Sequence, residues 1–386
     1  MQDTAPRSDA THRVCFPFVG ESVGGSQIAA AMLIAGLDGT RYEPMVVVHH
    51  PGPLGEYLQS LGIEHEVLHL PTFVGAGRTP AAHLAAACRT APRLVAHLRR
   101  QGIAIVHTQD GRMNQTWGLP ARLAGARSVW HQHSRYAPSR LTRLAMRLSQ
   151  RVLCNSEFVR DSLPPEASQR SDIVFNPFRR DPETVNRDLS RQTCLQAVGG
   201  DHADLVIAFV GNLTRQKRPD RFLDAAGRIA AQHDGRLRCL VFGRDREQLR
   251  PDLERQAEAL GLAGRLHFMG FRDPIQLWLA GADLLLSPEV DDGFGRTLVE
   301  AMLVGTPVVA SDSGGHREII HDGETGRLVP VDDAAAMAAA ALDLLADRDK
   351  AQRIAGRARD WADGRFSLAA HVDAVTAIYD RLLTTP

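Results

Sequence analysis

The feature that most constrains this chain is an alternation that breaks and restarts. Short apolar runs rich in β-formers are separated by helix-length stretches throughout the 386 residues. Arg13–Phe18, Met45–His49, Ile103–His107, Ser128–His131, Val152–Asn155 and Ile173–Phe175 read as strands in the first half. Leu205–Val210, Arg238–Phe242, Leu266–Met269, Asp283–Ser287 and Pro307–Ala310 continue the pattern in the second. Strands spaced by helices of ten or more residues predict parallel sheets built from βαβ units. The intervening Asn176–Gly200 lacks periodicity and carries Pro177, Pro182, Gly199 and Gly200, so it reads as a link between two doubly wound domains. One large α/β domain fits a dozen strands with a mid-chain break less well. Phe366, Ala370, Val372, Val375, Ile378, Tyr379 and Leu382 share one face of a predicted terminal helix over Phe366–Leu383.

Composition removes several function classes. Acids and bases balance at 45 each, so the molecule as a whole is no polyelectrolyte and nucleic acid is not an expected partner. The five cysteines (Cys15, Cys88, Cys154, Cys194, Cys239) are scattered without a C-x-x-C pair, which fits reduced thiols better than disulfides or a zinc knuckle. Met1-Gln2-Asp3-Thr4 lacks a signal-peptide pattern, and no apolar run nears the ~20 residues of a transmembrane helix. The expected location is cytoplasmic, with any membrane contact peripheral and on the inner face. The neutral total hides an asymmetry: residues 1–180 hold 20 arginines against 13 acids. Lys217 and Lys350 are the only lysines.

Two familiar motifs occur in settings that do not suit them. His65-Glu66-Val67-Leu68-His69 matches the H-E-x-x-H zinc signature, which needs a helix. Here Gly62 and Pro71 bound a strand-like alternation, and residues four apart on a strand are ~13 Å apart, too far for two ligands of one zinc. Gly20-Glu21-Ser22-Val23-Gly24 matches the G-x-S-x-G elbow of α/β-hydrolases. It follows the first strand, so no earlier loop exists to complete an oxyanion hole. A glycine-rich strand-to-helix turn is the simpler reading, with Gly24-Gly25 letting a ligand approach the next helix. No G-x-G-x-x-G follows a strand, so a nicotinamide cofactor is unsupported.

Sharper chemistry lies in the second half. Strand Leu205–Val210 runs into Gly211-Asn212-Leu213-Thr214-Arg215-Gln216-Lys217, and a helix begins near Pro219. A cation leaving a strand end beside a helix N-terminus suits phosphate; a lone loop lysine also fits plain solvated charge. Arg215 offers a second, forked cation. Further on, a strand ends at Ser287, an acidic glycine-rich loop follows, and a helix starts near Arg296. Asp292 stands at the mouth of that helix and Glu300 about a turn inside it. Backbone N–H groups from Gly293 through Thr297 would face whatever sits over the mouth. Carboxylates beside exposed amides suit a polyhydroxylated ligand, because hydroxyls both donate and accept.

Asp292–Ala310, with Gly211–Lys217, Gly314-Gly315-His316-Arg317-Glu318 and Asp322-Gly323-Glu324-Thr325-Gly326, resembles the retaining glycosyltransferases of family 4, the group 1 glycosyl transferases. The first half matches more weakly, through Gly24-Gly25, Val106-His107, His131-Gln132-His133 and Asn176. The resemblance implies the GT-B fold: an acceptor-binding Rossmann-like domain (1–185) and a sugar-nucleotide-binding one (186–365) facing each other across a cleft. The last helix (366–386) would cross back to the first domain. It further implies catalytic roles for His133, Lys217 and Asp292. Glu300 would hold the ribose hydroxyls, while Asp292 and the amides around Phe294-Gly295 contact the transferred sugar, and Gly293, Thr297 and Leu298 would also bind the donor. Gly25, Gly211, Asn212 and Arg215 would complete the donor site, and backbone near Gly243 and Gly270-Phe271-Arg272 would receive the base. Two departures matter: the family usually has Arg at Asn212, which moves the second cation to Arg215, and the first acid of its E-x7-E motif is Asp292, a shorter side chain.

The implied activity is metal-independent transfer of a hexose, with retention, from a UDP-sugar ahead of GDP-mannose. Glycan or lipid-linked acceptors of surface polysaccharide or glycolipid synthesis would receive it. No metal or other cofactor is expected. Residues 67–156 hold 13 arginines and one acid, and Arg140, Arg143, Arg147 and Arg151 recur at one helical face beside Leu141, Leu144 and Leu148. That face, within 78–151, suits an anionic membrane surface, and equally a solvated face in an arginine-rich chain. Three other readings remain: a GT-B-fold UDP-sugar epimerase, a non-catalytic nucleotide-sugar binder, and, remotely, a hydrolase using Ser22.

Overall fold

A computed structural model describes residues 11–74, 79–179, 185–233 and 236–384. Its strands form two sheets, every pair parallel. The first contains β1 (His12–Phe18), β2 (Tyr42–Val48), β3 (Glu66–Val67), β4 (Ile103–Thr108), β5 (Arg127–Gln132), β6 (Arg151–Cys154) and β7 (Ser171–Ile173), in the order β3-β2-β1-β4-β5-β6-β7. The second contains β8 (Leu205–Val210), β9 (Leu237–Phe242), β10 (Leu266–Gly270), β11 (Leu284–Ser287), β12 (Val308–Ser311) and β13 (Arg327–Val329), in the order β10-β9-β8-β11-β12-β13. The chain divides into two compact units, Met1–Pro177 with Leu368–Pro386, and Phe178–Ser367.

A sheet covered by helices on both faces buries both sides of its central strands, which therefore read as continuous apolar runs. In β1, Val14, Phe16 and Phe18 enter one core, while Cys15 enters the opposite core with Val47, Val106 and Trp117. In β8, Ile207 and Phe209 pack with Phe222 and Ile229 of the helix Pro219–Gln232. The terminal helix Leu368–Thr384 belongs to the first unit although the second precedes it in sequence. Its Val375, Ile378, Tyr379 and Leu382 are buried there, each worth roughly 1.5–3 kcal/mol of transfer free energy. Gly36 permits the close helix approach, because a Cβ there would lie 2.9 Å from Val372 Cγ2. Asp380 fixes the register by accepting from Arg41 at 2.8 Å and from the Tyr42 hydroxyl at 2.5 Å.

Three expectations need correction. The supposed link contains the helix Arg187–Ala197, whose Asn186 cap accepts from the amides of Asp188 and Leu189. Its exposed Leu189 and many polar residues hide the periodicity, and the link's remaining calls at 180–184 lie outside the described residues. Arg151 opens β6, so the arginine row stops with the helix Arg140–Leu148, and Arg78 lies outside the described residues. The short edge strand β13 is absent from the strands that the sequence suggests. The H-E-x-x-H residues do lie on extended chain: Glu66 and Val67 form β3 beside β2.

Strand order decides where a site can form. Each sheet reverses its winding at one point, between β1 and β4 and between β8 and β11, and crevices open at the carboxyl ends of such neighbours. In the second unit, Ile207 pairs with Leu284 and Ala208 with Leu285. The loop after β8 carries Lys217 and the loop after β11 carries Asp292, so the reversal sets these two loops side by side.

Candidate active site

The two loops are joined by one backbone bond and one from the Gln216 side chain. Val290 N–H donates to Gln216 O at 3.2 Å, and Gln216 Nε2 donates to Asp291 O at 3.3 Å. Gly211 sits beneath the aliphatic stem of Lys217 and accepts no larger residue across from it: a Cβ on Gly243 (φ 134°) would lie 2.1 Å from Gly211 O. Asn212 turns its Oδ1 to the Arg244 amide at 3.0 Å and so ties the ends of β8 and β9 together. The Asn at this position thus has a structural contact of its own. Arg215 is exposed, and its backbone N–H donates to Glu247 Oε2 at 3.1 Å.

The acid loop is held by a glycine pair on the neighbouring strand-to-helix turn. A Cβ on Gly314 (φ 57°) would lie 2.4 Å from Asp292 O, and one on Gly315 would lie 2.7 Å from Phe294 Cα. Gly315 N–H donates to Asp292 O at 2.9 Å. Gly295 (φ 99°) caps the helix Arg296–Leu303 in the left-handed region that glycine tolerates. Below the loop, Phe294 lies 6.2 Å from Phe178 and 5.5 Å from Phe366, centroid to centroid, and the Arg296 guanidinium covers Phe178 at 4.5 Å.

Four polar side chains meet here. Asp292 Oδ1 accepts from the Phe294 amide at 3.2 Å, leaving Oδ2 to face Lys217 Nζ at 3.3 Å. Lys217 Nζ is also ion-paired with Glu289 Oε1, whose residue is only 3% exposed. His316 is fully buried, with Nδ1 donating to Ser311 O at 3.0 Å. That leaves Nε2 as a lone-pair nitrogen without a partner. Burial opposes the Lys217 charge, but Asp292 and Glu289 outweigh it and raise the lysine above its ordinary value. Burial also works against the Asp292 carboxylate, yet Lys217, together with His316, Glu289 and the Phe294 amide, outweighs it and holds the group at about 2. Glu289 goes the other way: burial and then Asp292 push it well above the usual carboxylate range, against Lys217.

Ligand atoms of Glu289, Asp292 and His316 all lie within 4.8 Å of one another, the single such group among the described residues. Two carboxylates and an imidazole could hold a divalent ion, but the Lys217 ammonium already lies against both carboxylates and would have to be displaced. One turn into the helix, Glu300 faces Arg296 Nη2 at 3.5 Å. Burial raises Glu300, and Arg296 partly offsets that shift.

Of the other expected donor residues, Gly293 and Phe294 are buried and Thr297 is partly buried at the helix mouth. Leu298 is core, with its side chain fully buried and its N–H donated to Gly295 O at 3.1 Å. At the ends of β9 and β10, Gly243 N–H donates to Gly270 O at 2.9 Å. Phe271 is 55% exposed under the Arg244 guanidinium, and Arg272 covers Trp278. These planar surfaces can stack on a flat ring. Glu289 and His316 escaped sequence reading, although both stand in segments that already looked significant.

Gly25 and His133 belong to the first unit. Gly25 opens the helix Gly25–Gly36, whose Gly24 N–H is capped by Gln27 Oε1 at 3.1 Å. His133 follows β5, with Nε2 2.9 Å from Gln109 Oε1 and its ring stacked on His131 at 4.2 Å. His107 and His131 behind it are fully buried, and burial drives both well below the ordinary histidine value. Ser22 is exposed in the loop after β1, and no described histidine hydrogen-bonds to it.

Comparison with known proteins places these residues in a wider set. Residues 191–361 match the family described as glycosyl transferases group 1, and residues 23–176 match glycosyltransferase family 4. The chain is 31% identical over 205 residues to the lipopolysaccharide core biosynthesis mannosyltransferase LpsB of Rhizobium meliloti, covering 49% of this chain and 55% of that protein. It is 36% identical over 185 residues to the D-inositol 3-phosphate glycosyltransferase of Nocardia farcinica, covering 46% and 41% respectively. The chain thus spans about half the length of the curated relatives it matches. HepE of Anabaena, solved with UDP and glucose, shares the fold at a TM-score of 0.81 and 20% identity, over 95% of this chain and 99% of that one.

Proposed function

The chain belongs to the group 1 glycosyl transferases of family 4, with the GT-B fold, and from that premise we propose that it transfers a hexose from a nucleotide sugar to a glycan or glycolipid acceptor. The observation that carries the proposal is the contact of Lys217 with Asp292 at the reversal point of the second sheet. Displacing a nucleoside diphosphate from an anomeric carbon builds negative charge on the leaving oxygen. Lys217 supplies the cation for that charge, and the helix mouth at Arg296 and Thr297 supplies amides. Asp292 and Glu300 are carboxylates placed to accept from sugar and ribose hydroxyls. Phe271, with Arg244 over it, offers a stacking surface for the base. Retention of configuration, which the family resemblance supports, and turnover without a metal, which fits a Lys217 ammonium lying against both carboxylates, are part of the proposal.

HepE's complex with UDP and glucose supports a uridine nucleotide, whereas the relatives named as mannosyltransferases keep mannose among the transferred hexoses. The same relatives support acceptors in lipopolysaccharide or glycolipid synthesis. A peripheral membrane face fits such acceptors. Leu84, Leu119, Leu123 and Leu144 are exposed on the neighbouring helices Pro80–Arg100, Gly111–Ala124 and Arg140–Leu148, the last also bearing Arg140, Arg143 and Arg147. Among the described residues, no helix is long and apolar enough to cross a membrane. Basic residues near an anionic leaflet contribute about 1 kcal/mol each.

Incubation with individual UDP- and GDP-sugars, followed by assay of released diphosphate, tests the activity. One donor should be slowly hydrolysed, and Lys217→Ala and Glu300→Ala should each sharply reduce that release. Conversion of the sugar without diphosphate release would instead indicate an epimerase, and binding without either would indicate a non-catalytic module.

A further inference from the structure

Glu289 has no part in the reading above, yet it is the most deeply buried acid of the cluster. It leaves the end of β11 after Pro288 and turns inward under the loop that carries Asp292. Three groups face it: Lys217 from the loop after β8, Asp292 from its own loop, and His316 from the short helix His316–Ile319. His316 cannot satisfy it as a cation, because its Nδ1 proton is committed to Ser311 O and burial keeps the ring neutral. Two carboxylates this close cannot both ionise cheaply beside one ammonium.

We infer that Glu289 is a positioning residue that holds Lys217 in the donor-free protein and releases it to the incoming diphosphate, with the release linked to one proton on Glu289. The inference rests on the proposed donor site. Lys217 cannot lie against both carboxylates and also present its full charge to a diphosphate. When it turns to the diphosphate, Glu289 loses its cation and gains an anion nearby. Both changes favour the protonated carboxyl. An ionised Glu289 competes for Lys217, whereas a protonated one competes only as a neutral partner. The diphosphate therefore binds more tightly to the protonated form, and a proton is taken up wherever the pH lies between the Glu289 values of the free and bound protein. Asp292 starts far lower, at about 2, and keeps its bond from the Phe294 amide when Lys217 turns away, so its titration stays below the pH range of the Glu289 proton.

The experiment is calorimetric titration from pH 5 to pH 9 with UDP and with GDP, using whichever binds more tightly at pH 6, on the wild type and Glu289→Gln. The wild-type Kd should rise by up to tenfold per pH unit across one window above the usual carboxylate range. Repeating the titration in buffers of different ionisation heat should show close to one proton taken up per ligand within that window. In Glu289→Gln both the slope and the uptake should vanish, while binding remains. The ligand's own phosphate titrates identically in the two proteins and cancels in the comparison. Equal slopes in wild type and variant, or no proton uptake by the wild type, overturn the inference and leave the donor site standing. If Glu289→Gln does not fold, Glu289→Ala takes its place in the same comparison. Failure of either nucleotide to bind the wild type at any pH would instead overturn the proposed function.

Discussion

The carboxyl ends of the two sheets solve the same problem in opposite ways. In the second unit, buried and partly buried charged groups compensate one another: Lys217 lies against both Asp292 and Glu289, and glycine pairs bring backbone against backbone around them. In the first, neutral rings fill the equivalent region. His107 stacks on His131 at 5.6 Å, His131 on His133 at 4.2 Å, and His107 shares a 2.5 Å hydrogen bond with the Tyr379 hydroxyl of the terminal helix. A compensated ion cluster answers to an anionic ligand. A buried imidazole stack answers to protons. The proposed function puts anion binding in the second unit, and the buried imidazoles predict that the first is the more acid-sensitive part of the molecule.

Removing the cation should break the comparison most severely. Lys217→Ala is expected to lower kcat/KM for the donor by about a hundredfold or more, near 3 kcal/mol of barrier, as for other lost transition-state contacts. Steady-state donor kinetics measure it. An unchanged kcat/KM would erase the distinction between the units.

Acid should then separate them by stability. His49 is held neutral by Trp117 Nε1, which donates to its Nε2 at 3.0 Å, and burial lowers its value to about 4. His107 falls to about 3, and His131 also falls well below 6.5. Their unfolded values lie above the folded ones, so their stabilisation is complete above about pH 6.5 and is lost as pH falls toward the folded values. Each contributes a slope of about 1.4 kcal/mol per pH unit in that window. In the second unit, His267 and His316 shift the same way, and Asp292, held at about 2, loses its contribution only below its ordinary 3.8. Calorimetric unfolding at successive pH values from 7 to 4 should show the first unit's transition moving down faster.

A smaller change sharpens the assignment. Tyr379→Phe removes the hydroxyl partner of His107 and should cost roughly 1 kcal/mol. The loss should appear in the more acid-sensitive transition and leave donor affinity within twofold of wild type.

What the sequence disclosed follows the same divide. β8 is readable to the residue, because a fully buried central strand is an unbroken apolar run between polar breaks. Lys217, Asp292 and Glu300 are readable because loop glycines and helix starts leave fixed spacings. The helix Arg187–Ala197 is hidden by its polar composition, and its position depends on Arg191 reaching Asp283 at 2.9 Å, a partner far away in sequence. Glu289 and His316 acquire meaning only when strand order sets three separate turns together, and no local spacing encodes that. The histidine stack is equally invisible, since His107, His131 and His371 come from three elements.

The central claim is that Lys217 leaves the carboxylate cluster to hold the diphosphate of a nucleotide sugar. A crystal structure of the protein with its nucleoside diphosphate tests it most directly. Lys217 Nζ within about 3 Å of a diphosphate oxygen, with a ribose hydroxyl on Glu300, is the predicted result. A bound diphosphate elsewhere, with Lys217 still seated on Asp292 and Glu289, would contradict it.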